Sequence, residues 1–394
     1  CEFRKWYFES GTYQLGKSLV EQGLREGVFE RREDGSVWAP LEAEGLKDKI
    51  LLRADGTSVY ITQDLGTAKL KYDDFGMDRS IYVVGSEQIL HFQLLFQLLR
   101  MLGFGWAEGC HHLSYGLVTL PRGLGKLKSR VGRKVDADDL LDELAATARR
   151  KAEEGGYVSG EDLDLETLAD AIGQGALKMY LLQVSAEKNI TFDPDATLDF
   201  EGDTGPAVQY SHARICSIVR KALAEGKIQL QDLIEAEMPD PFGAYGTGSP
   251  VAAGESAAAS GLGNQTPRGP EPREGATWRR SGSVEHEAVA RAIGLRREVA
   301  RPELLTAPEE KRLTLELAFF ESVLRSSAEQ LSPSPLAGYL LELTKTFARF
   351  YHGCPVLKAE GDDLCRARLH LCLAVAATLR RGLELLGIEA PDAM

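Results

Sequence analysis

Residues 80–85 read SIYVVG, an almost continuous apolar run rich in β-branched side chains, and EQILHFQLLFQLLRMLG follows after Ser86. A strand covered on both faces is apolar at successive rather than alternate positions, which is the pattern of a parallel sheet. A parallel neighbour cannot be reached by a tight turn, so a crossover helix has to intervene. The residues after SIYVVG supply one, apolar at helical spacing and stopping at Gly103, and HLSYGLVTL (112–120) then returns to strand composition. Upstream, SVYIT (58–62) is a β-branched, aromatic run that predicts another strand, joined to SIYVVG by the helix-like DLGTAKLKYDD. The βαβ unit therefore repeats, and the expected fold is the parallel, helix-covered sheet of a Rossmann-type nucleotide-binding domain.

Ligands of such sheets bind beyond the carboxyl ends of the strands. On this reading Tyr60 and Asp64 lie at and just past the first strand and Gln88 just past the second. The loop KLKSRVG (126–132) lies past the third and gathers Lys126, Lys128 and Arg130, with Arg133 and Lys134 close behind and Gly123, Gly125 and Gly132 around it. Exposed amide groups plus those cations would suit a polyphosphate, whereas a solvated basic turn is the commoner explanation of such a run. It is not a P-loop, because Leu127 follows Lys126 and Leu120 occupies the first glycine position. Asp136, Asp138 and Asp139 predict an N-cap and acidic first turn for the next helix. Asp64 could be a simple helix cap, or a carboxylate able to hold a guanidinium by paired charge-assisted bonds. His91, His111 and His112 lack a metal partner at ligand spacing and are expected to be core or surface residues.

From about Leu165 the pattern becomes helical. FDPDATLDFEGDTGP forms a turn-rich bridge to AVQYSHARICSIVRKALAEG, and KRLTLELAFFESVLRSSAEQL, LAGYLLELTKTFARFYHG and CRARLHLCLAVAATLRRGLELLG predict an all-α bundle. Between them, 239–283 is dominated by Gly, Ala, Ser and Pro, a composition that cannot bury enough to order itself, and predicts a disordered insertion. A chain of 394 residues exceeds one ordinary core, so the expected domains are 1–200 and 201–394. The net charge of −13 excludes nucleic-acid binding by a uniformly basic surface, though not by a local one. The six cysteines show no C-x-x-C pair, and no apolar run is long enough to span a bilayer. Reduced thiols and a cytoplasmic location follow as expectations.

The stretches ADGTSVYITQDLGTA, IYVVGSEQILHFQLLFQLLRMLGF, GKLKSRVGRKVDADDLLDE, FEGDTGPAVQYSHARICSI, LLELTKTFARFYHGCPVLKA and LRRGLELLGIEAPDAM occur in this order and run from near the start to Met394. Together they resemble arginyl-tRNA synthetase, a class I aminoacyl-tRNA synthetase. The resemblance implies a Rossmann catalytic domain, a helical anticodon-binding domain, and ATP-driven coupling of L-arginine to tRNA(Arg). It also implies Mg²⁺ arriving with ATP, no metal held by the protein, no membrane partner, and a monomer.

Carried over by motif, the family's arginine-binding positions fall on Tyr60, Asp64 and Gln88, with Asp64 on the guanidinium. KLKSRVG resembles the KMSKS loop that closes over the triphosphate, which assigns ATP binding to Lys126, Lys128, Ser129 and Arg130. The family's tRNA-contacting positions fall on Tyr210, Arg214 and Met394, where an aromatic and an arginine can stack on unpaired bases; simple helix packing is the competing explanation for Tyr210. There are departures. Ser129 replaces the second lysine of KMSK, Ala207 stands where the family usually has Tyr, and no H-x-G-H sequence occurs. The chain thus resembles the C-terminal portion of a synthetase and is expected to be inactive alone. A non-catalytic tRNA- or partner-binding paralogue is the alternative.

Overall fold

The computed structural model describes residues 3–119, 137–154, 164–200, 202–228 and 301–394. The chain divides into two compact units, one of residues 1–119 with 186–190 and one of 120–185 with 191–394. The basic loop at 126–132, Asp136 and the Gly/Ala/Ser/Pro-rich stretch at 239–283 lie outside the described residues.

In the first unit, helices α1 (Glu9–Arg25), α2 (Tyr60–Phe75) and α3 (Ile89–Met101) accompany two sheets. Strands β1 (Glu30–Arg31), β2 (Val37–Ala39) and β3 (Lys49–Leu52) form an antiparallel meander. Strands β4 (Ser80–Gly85) and β5 (Cys110–Tyr115) pair in parallel, in register from Ser80↔Cys110 to Gly85↔Tyr115, with α3 as the crossover. The predicted βαβ unit at 80–115 is present.

The strand predicted over 58–62 is not. Ser58 makes a single bridge to Leu52, Val59 is the extended cap residue, and Tyr60 opens α2. Thr62 has left strand geometry and donates its hydroxyl to the Leu51 carbonyl at 2.6 Å, fixing the first turn of α2 against β3. A five-residue β-branched run is overridden here by tertiary packing. That packing runs through glycines. A Cβ on Gly16 of α1 would meet the Thr62 carbonyl oxygen at 1.9 Å, and one on Gly66 of α2 would meet the Thr12 oxygen at 2.5 Å and the Gly16 nitrogen at 2.7 Å. The two helix backbones touch where these residues have no side chains.

Among the described residues the parallel sheet packs on the core by one face. Tyr82, Val84 and Cys110 pack on the core that holds Phe92, Phe96 and Leu95, and the His112 ring lies 4.5 Å from that of Phe92. On the other face Ile81 (40%), Val83 (62%) and Tyr115 (48%) are exposed. Parallel sheets are normally covered on both faces, so among the described residues this second face is unusually open. After Tyr115 the predicted strand breaks. The Gly116 amide donates to the Ala186 carbonyl at 2.7 Å, and the Ile190 amide donates to that of Leu117 at 2.9 Å, which returns 186–190 to this unit.

The second unit is helical: α4 (Ala137–Glu154), α5 (Leu165–Leu182), the short α6 (Pro194–Thr197), α7 (Gly205–Ala224), α8 (Pro308–Ala318), α9 (Phe320–Glu329), α10 (Ser334–Gly353) and α11 (Asp362–Leu385). Asp138 and Asp139 stand in the first turn of α4, as predicted. Asp164 caps α5 by accepting from the Glu166 and Thr167 amides, and Thr204 caps α7 through the Ala207 amide. The stretch KRLTLELAFFESVLRSSAEQL forms two helices that meet at Phe319. One core gathers Ile215, Val219, Leu340, Phe347, Phe350 and Leu379, and a second gathers Leu144, Leu168, Ile172, Phe192, Phe200 and Met394. A parallel βαβ unit followed by an all-α bundle is the fold class the sequence predicts.

Because the α1–α2 contact is backbone against backbone, Gly16→Ala is expected to cost about 3 kcal/mol, the upper range for overpacking. Urea denaturation of the chain reads this; a midpoint unchanged from wild type would mean that the helices separate without cost.

Candidate functional site

In the first unit, Tyr60 and Asp64 lie four residues apart on α2 and therefore share a face. Tyr60 is fully open at 77% exposure, and the Asp64 side chain is half-buried. The Asp64 carboxylate accepts a hydrogen bond of 2.7 Å from Nε2 of His91, in the first turn of α3. Gln88 ends the short 3-10 turn between β4 and α3 and is exposed. The His91 bond thus ties α2 to the helix that begins directly after Gln88, at the carboxyl end of β4. His91, expected as a core or surface residue, is partly buried and faces the carboxylate, a pairing with no signal in the sequence because the two residues lie on different helices.

Lys126, Lys128, Ser129 and Arg130 lie outside the described residues.

In the second unit, a pocket of about 660 Å³ is lined by Tyr210, Arg214 and Met394 together with Arg220, Lys221, Tyr351 and Lys358. Its floor is a stripe of α7. Within that helix Tyr210, Arg214, Ser217 and Lys221 escape full burial, at offsets 0, 4, 7 and 11, so they lie along one side. Arg214 places its guanidinium carbon 4.5 Å from the Tyr351 ring centre on α10 and 5.7 Å from that of Tyr210. Arginine stacked between aromatic rings is desolvated on its faces while its edge donors stay free. Ala207 is buried at the start of α7, outside the pocket lining. Of these residues Tyr351, Arg220, Lys221 and Lys358 were not singled out from sequence. The stripe itself was readable in QYSHARICSIVRK by its helical period, whereas Tyr351 comes from a helix more than a hundred residues on.

Beside the pocket, His212, Cys216 and Asp392 bring possible ligand atoms within 4.8 Å of one another. The chemistry of the set argues against a cation. Arg380 occupies one oxygen of the Asp392 carboxylate, and the thiol of Cys216 donates to the same oxygen at 3.7 Å. Burial and the nearby Asp392 charge hold that thiol well above the usual range. The His212 imidazole donates from Nδ1 to the Pro391 carbonyl at 2.9 Å; burial, helped by the Arg380 charge, pulls its pKa down to about 4. The group is a hydrogen-bonded cluster in which the thiol keeps its proton and the carboxylate is already taken by Arg380. Among the described residues no helix is long and apolar enough to cross a membrane.

Two family models match in chain order: "tRNA synthetases class I (R), catalytic domain" over 14–193, and "DALR anticodon binding domain" over 287–394. The chain is 40% identical over 393 residues to the arginine–tRNA ligases of Bacteroides fragilis and of Bacteroides thetaiotaomicron, matching along all of its own length and 54% of theirs. It spans about half the length of the curated relatives it matches. Among solved structures it superposes on the arginyl-tRNA synthetase of Thermus thermophilus with TM-score 0.68 at 24% identity, covering 98% of this chain and 58% of that one. The arginyl-tRNA synthetase of Plasmodium falciparum gives 0.69 at 19%, covering 99% and 54%. At these identities the structural likeness speaks for the fold.

The buried His212 yields a pH test with a definite sign. Its proton is bound in the unfolded chain below about 6.5 but in the folded chain only below about 4. Stability is therefore full above about pH 6.5 and falls as the pH drops toward about 4, by up to about 3 kcal/mol from this residue. Thermal melts of wild type and His212→Asn across this window are expected to differ in slope; parallel slopes would mean that His212 is protonated in the folded chain.

Proposed function

Because the chain belongs to the arginyl-tRNA synthetase family, we propose that it is the part of an arginine–tRNA ligase that completes the arginine pocket, carries the KMSKS-like loop and binds tRNA(Arg), with ATP and its Mg²⁺ as co-substrate. The observation that carries this reading is that Tyr210, Arg214 and Met394, the positions carried over from the family as anticodon contacts, line one cationic, aromatic pocket.

The chemistry assigned to each residue follows from its charge and placement. Asp64 holds the substrate guanidinium by a charge-assisted pair, with one carboxylate oxygen engaged by His91 and the rest of the group presented to solvent. Tyr60 and Gln88 supply a hydroxyl and an amide to the same substrate. Lys126, Lys128 and Arg130, with the Ser129 hydroxyl, neutralise charge on the triphosphate as the arginine carboxylate displaces pyrophosphate. That work is positioning and electrostatics, with no covalent bond to the protein. At the tRNA end, Tyr210 and Tyr351 offer faces to splayed-out bases. Arg214, with Arg220, Lys221 and Lys358, meets base edges and phosphates, the usual way of reading a single-stranded loop. Local positive charge at this pocket reconciles RNA binding with a chain of net charge −13.

The domain division that goes with this reading is 1–200 for the catalytic portion and 201–394 for the anticodon-binding portion, in a cytoplasmic monomer. The bare face at Ile81, Val83 and Tyr115, with the absence of H-x-G-H, supports a catalytic domain that is incomplete in these residues and inactive by itself. The non-catalytic, tRNA-binding paralogue remains the second reading, since the pocket needs no ATP site.

Aminoacylation by the longest natural reading frame containing this segment separates the two. Charging of tRNA with arginine is expected, with kcat/KM for arginine falling at least about a hundredfold in Asp64→Ala, equivalent to about 3 kcal/mol. Charging that survives Asp64→Ala would refute the guanidinium contact. No charging by a frame that includes H-x-G-H would favour the paralogue, and charging by the present 394 residues alone would refute its predicted inactivity.

A further inference from the structure

The last residues of the chain are fastened along α7 by a row of donors. Gln209 Nε2 donates to the Glu389 carbonyl at 2.8 Å, His212 Nδ1 to that of Pro391 at 2.9 Å, and Arg220 Nη1 to that of Asp392 at 3.0 Å. Gln209, His212, Cys216 and Arg220 lie at offsets 0, 3, 7 and 11, a second stripe directly beside the one that floors the pocket. Gln209 and His212 are wholly buried. The Asp392 carboxylate is held by Arg380 from α11 and by the Cys216 thiol, while its own carbonyl is held by Arg220. Two residues later Met394 is buried against Tyr210 and Ala213, and with Ala393 it forms a wall of the pocket.

A segment outside helix and strand stays ordered only if outside groups satisfy its carbonyls and offset its lost backbone freedom. Here side chains of α7 do so at Glu389, Pro391 and Asp392, and the sole acidic side chain of the last five residues is clamped by an arginine. A substitution in this clamp removes a hold on the wall while leaving the α7 donors Gln209, His212 and Arg220 in place.

We propose that Arg380 and Asp392 are positioning residues for RNA binding: their ion pair seats the terminal segment so that Met394 closes the nucleobase pocket. Neither residue touches the base. Both act through the placement of Met394 beside Tyr210 and Arg214. This rests on the pocket being an RNA site, as proposed above.

The test uses the 394-residue chain, a fluorescein-labelled arginine tRNA transcript, and ¹³C-methyl methionine NMR, in which the aromatic ring of Tyr210 gives Met394 a distinctive shift. Asp392→Asn and Arg380→Met are expected to weaken tRNA binding about tenfold and to move the Met394 methyl toward its free position, with the helical circular dichroism unchanged. Arg380→Lys keeps the charge and is expected to retain most of the affinity. Wild-type affinity in Asp392→Asn and Arg380→Met, or a Met394 signal that does not move, would overturn the positioning role. Failure of the wild-type chain to bind the transcript at all would instead sink the pocket reading, and the proposal with it.

Discussion

Helix α7 has to satisfy neighbours on nearly every side. It packs on α5, α10 and α11, and buries Ile215, Val219 and Ala222 into one core while Ala213 reaches the other. Burying each large aliphatic side chain stabilises the unit by about 2 kcal/mol, so the helix is the element the bundle can least do without. Yet it also carries two polar stripes, one gripping the terminal segment and one flooring the pocket. These demands are compatible because helical geometry separates them by about 100° per residue, and because glycines let the neighbouring backbone come close. A Cβ on Gly205 would meet the Gly175 carbonyl oxygen of α5 at 2.3 Å. The position of Arg214 and Tyr210 is thus set by packing that has nothing to do with their own polarity.

The first unit uses the same device for a different end. The contact of Gly16 with Gly66 holds α2 against α1, and the Thr62 bond to Leu51 sets where α2 begins. The start of α2 decides that Tyr60 and Asp64 share a face, and the crossover from β4 through α3 brings His91 to that face. Neither residue needs a strand end to be positioned. The carboxyl edge of a parallel sheet still organises the site, through β4 and Gln88, but the acidic group arrives from a helix. Among the described residues the same sheet leaves Ile81, Val83 and Tyr115 exposed, an open face where parallel sheets are usually covered.

Much of this was legible in the sequence, and the failures have identifiable causes. SIYVVG and the helix after it gave an unambiguous βαβ unit, because a buried parallel strand and an amphipathic helix leave different periods. SVYIT misled because its β-branched side chains report a preference that Thr62 and Gly66 overrule through contacts distant in sequence. The break at Phe319 was invisible because the apolar pattern continues through it. At the candidate sites, motif resemblance named Tyr210, Arg214 and Met394, which do line one pocket. It could not name Tyr351 or Arg380, whose importance comes from approach across helices rather than from any local signature. His91 has no metal partner at ligand spacing, and its carboxylate partner comes from another helix.

The central proposal is that the helical unit carries a tRNA-reading surface at the Tyr210–Arg214–Tyr351 pocket. Nuclease footprinting of an arginine tRNA transcript bound to this 394-residue chain tests it most directly. Protection of the anticodon loop, lost on Tyr351→Ala, is the predicted result. Protection confined to the acceptor end, or an anticodon footprint indifferent to that substitution, would contradict it.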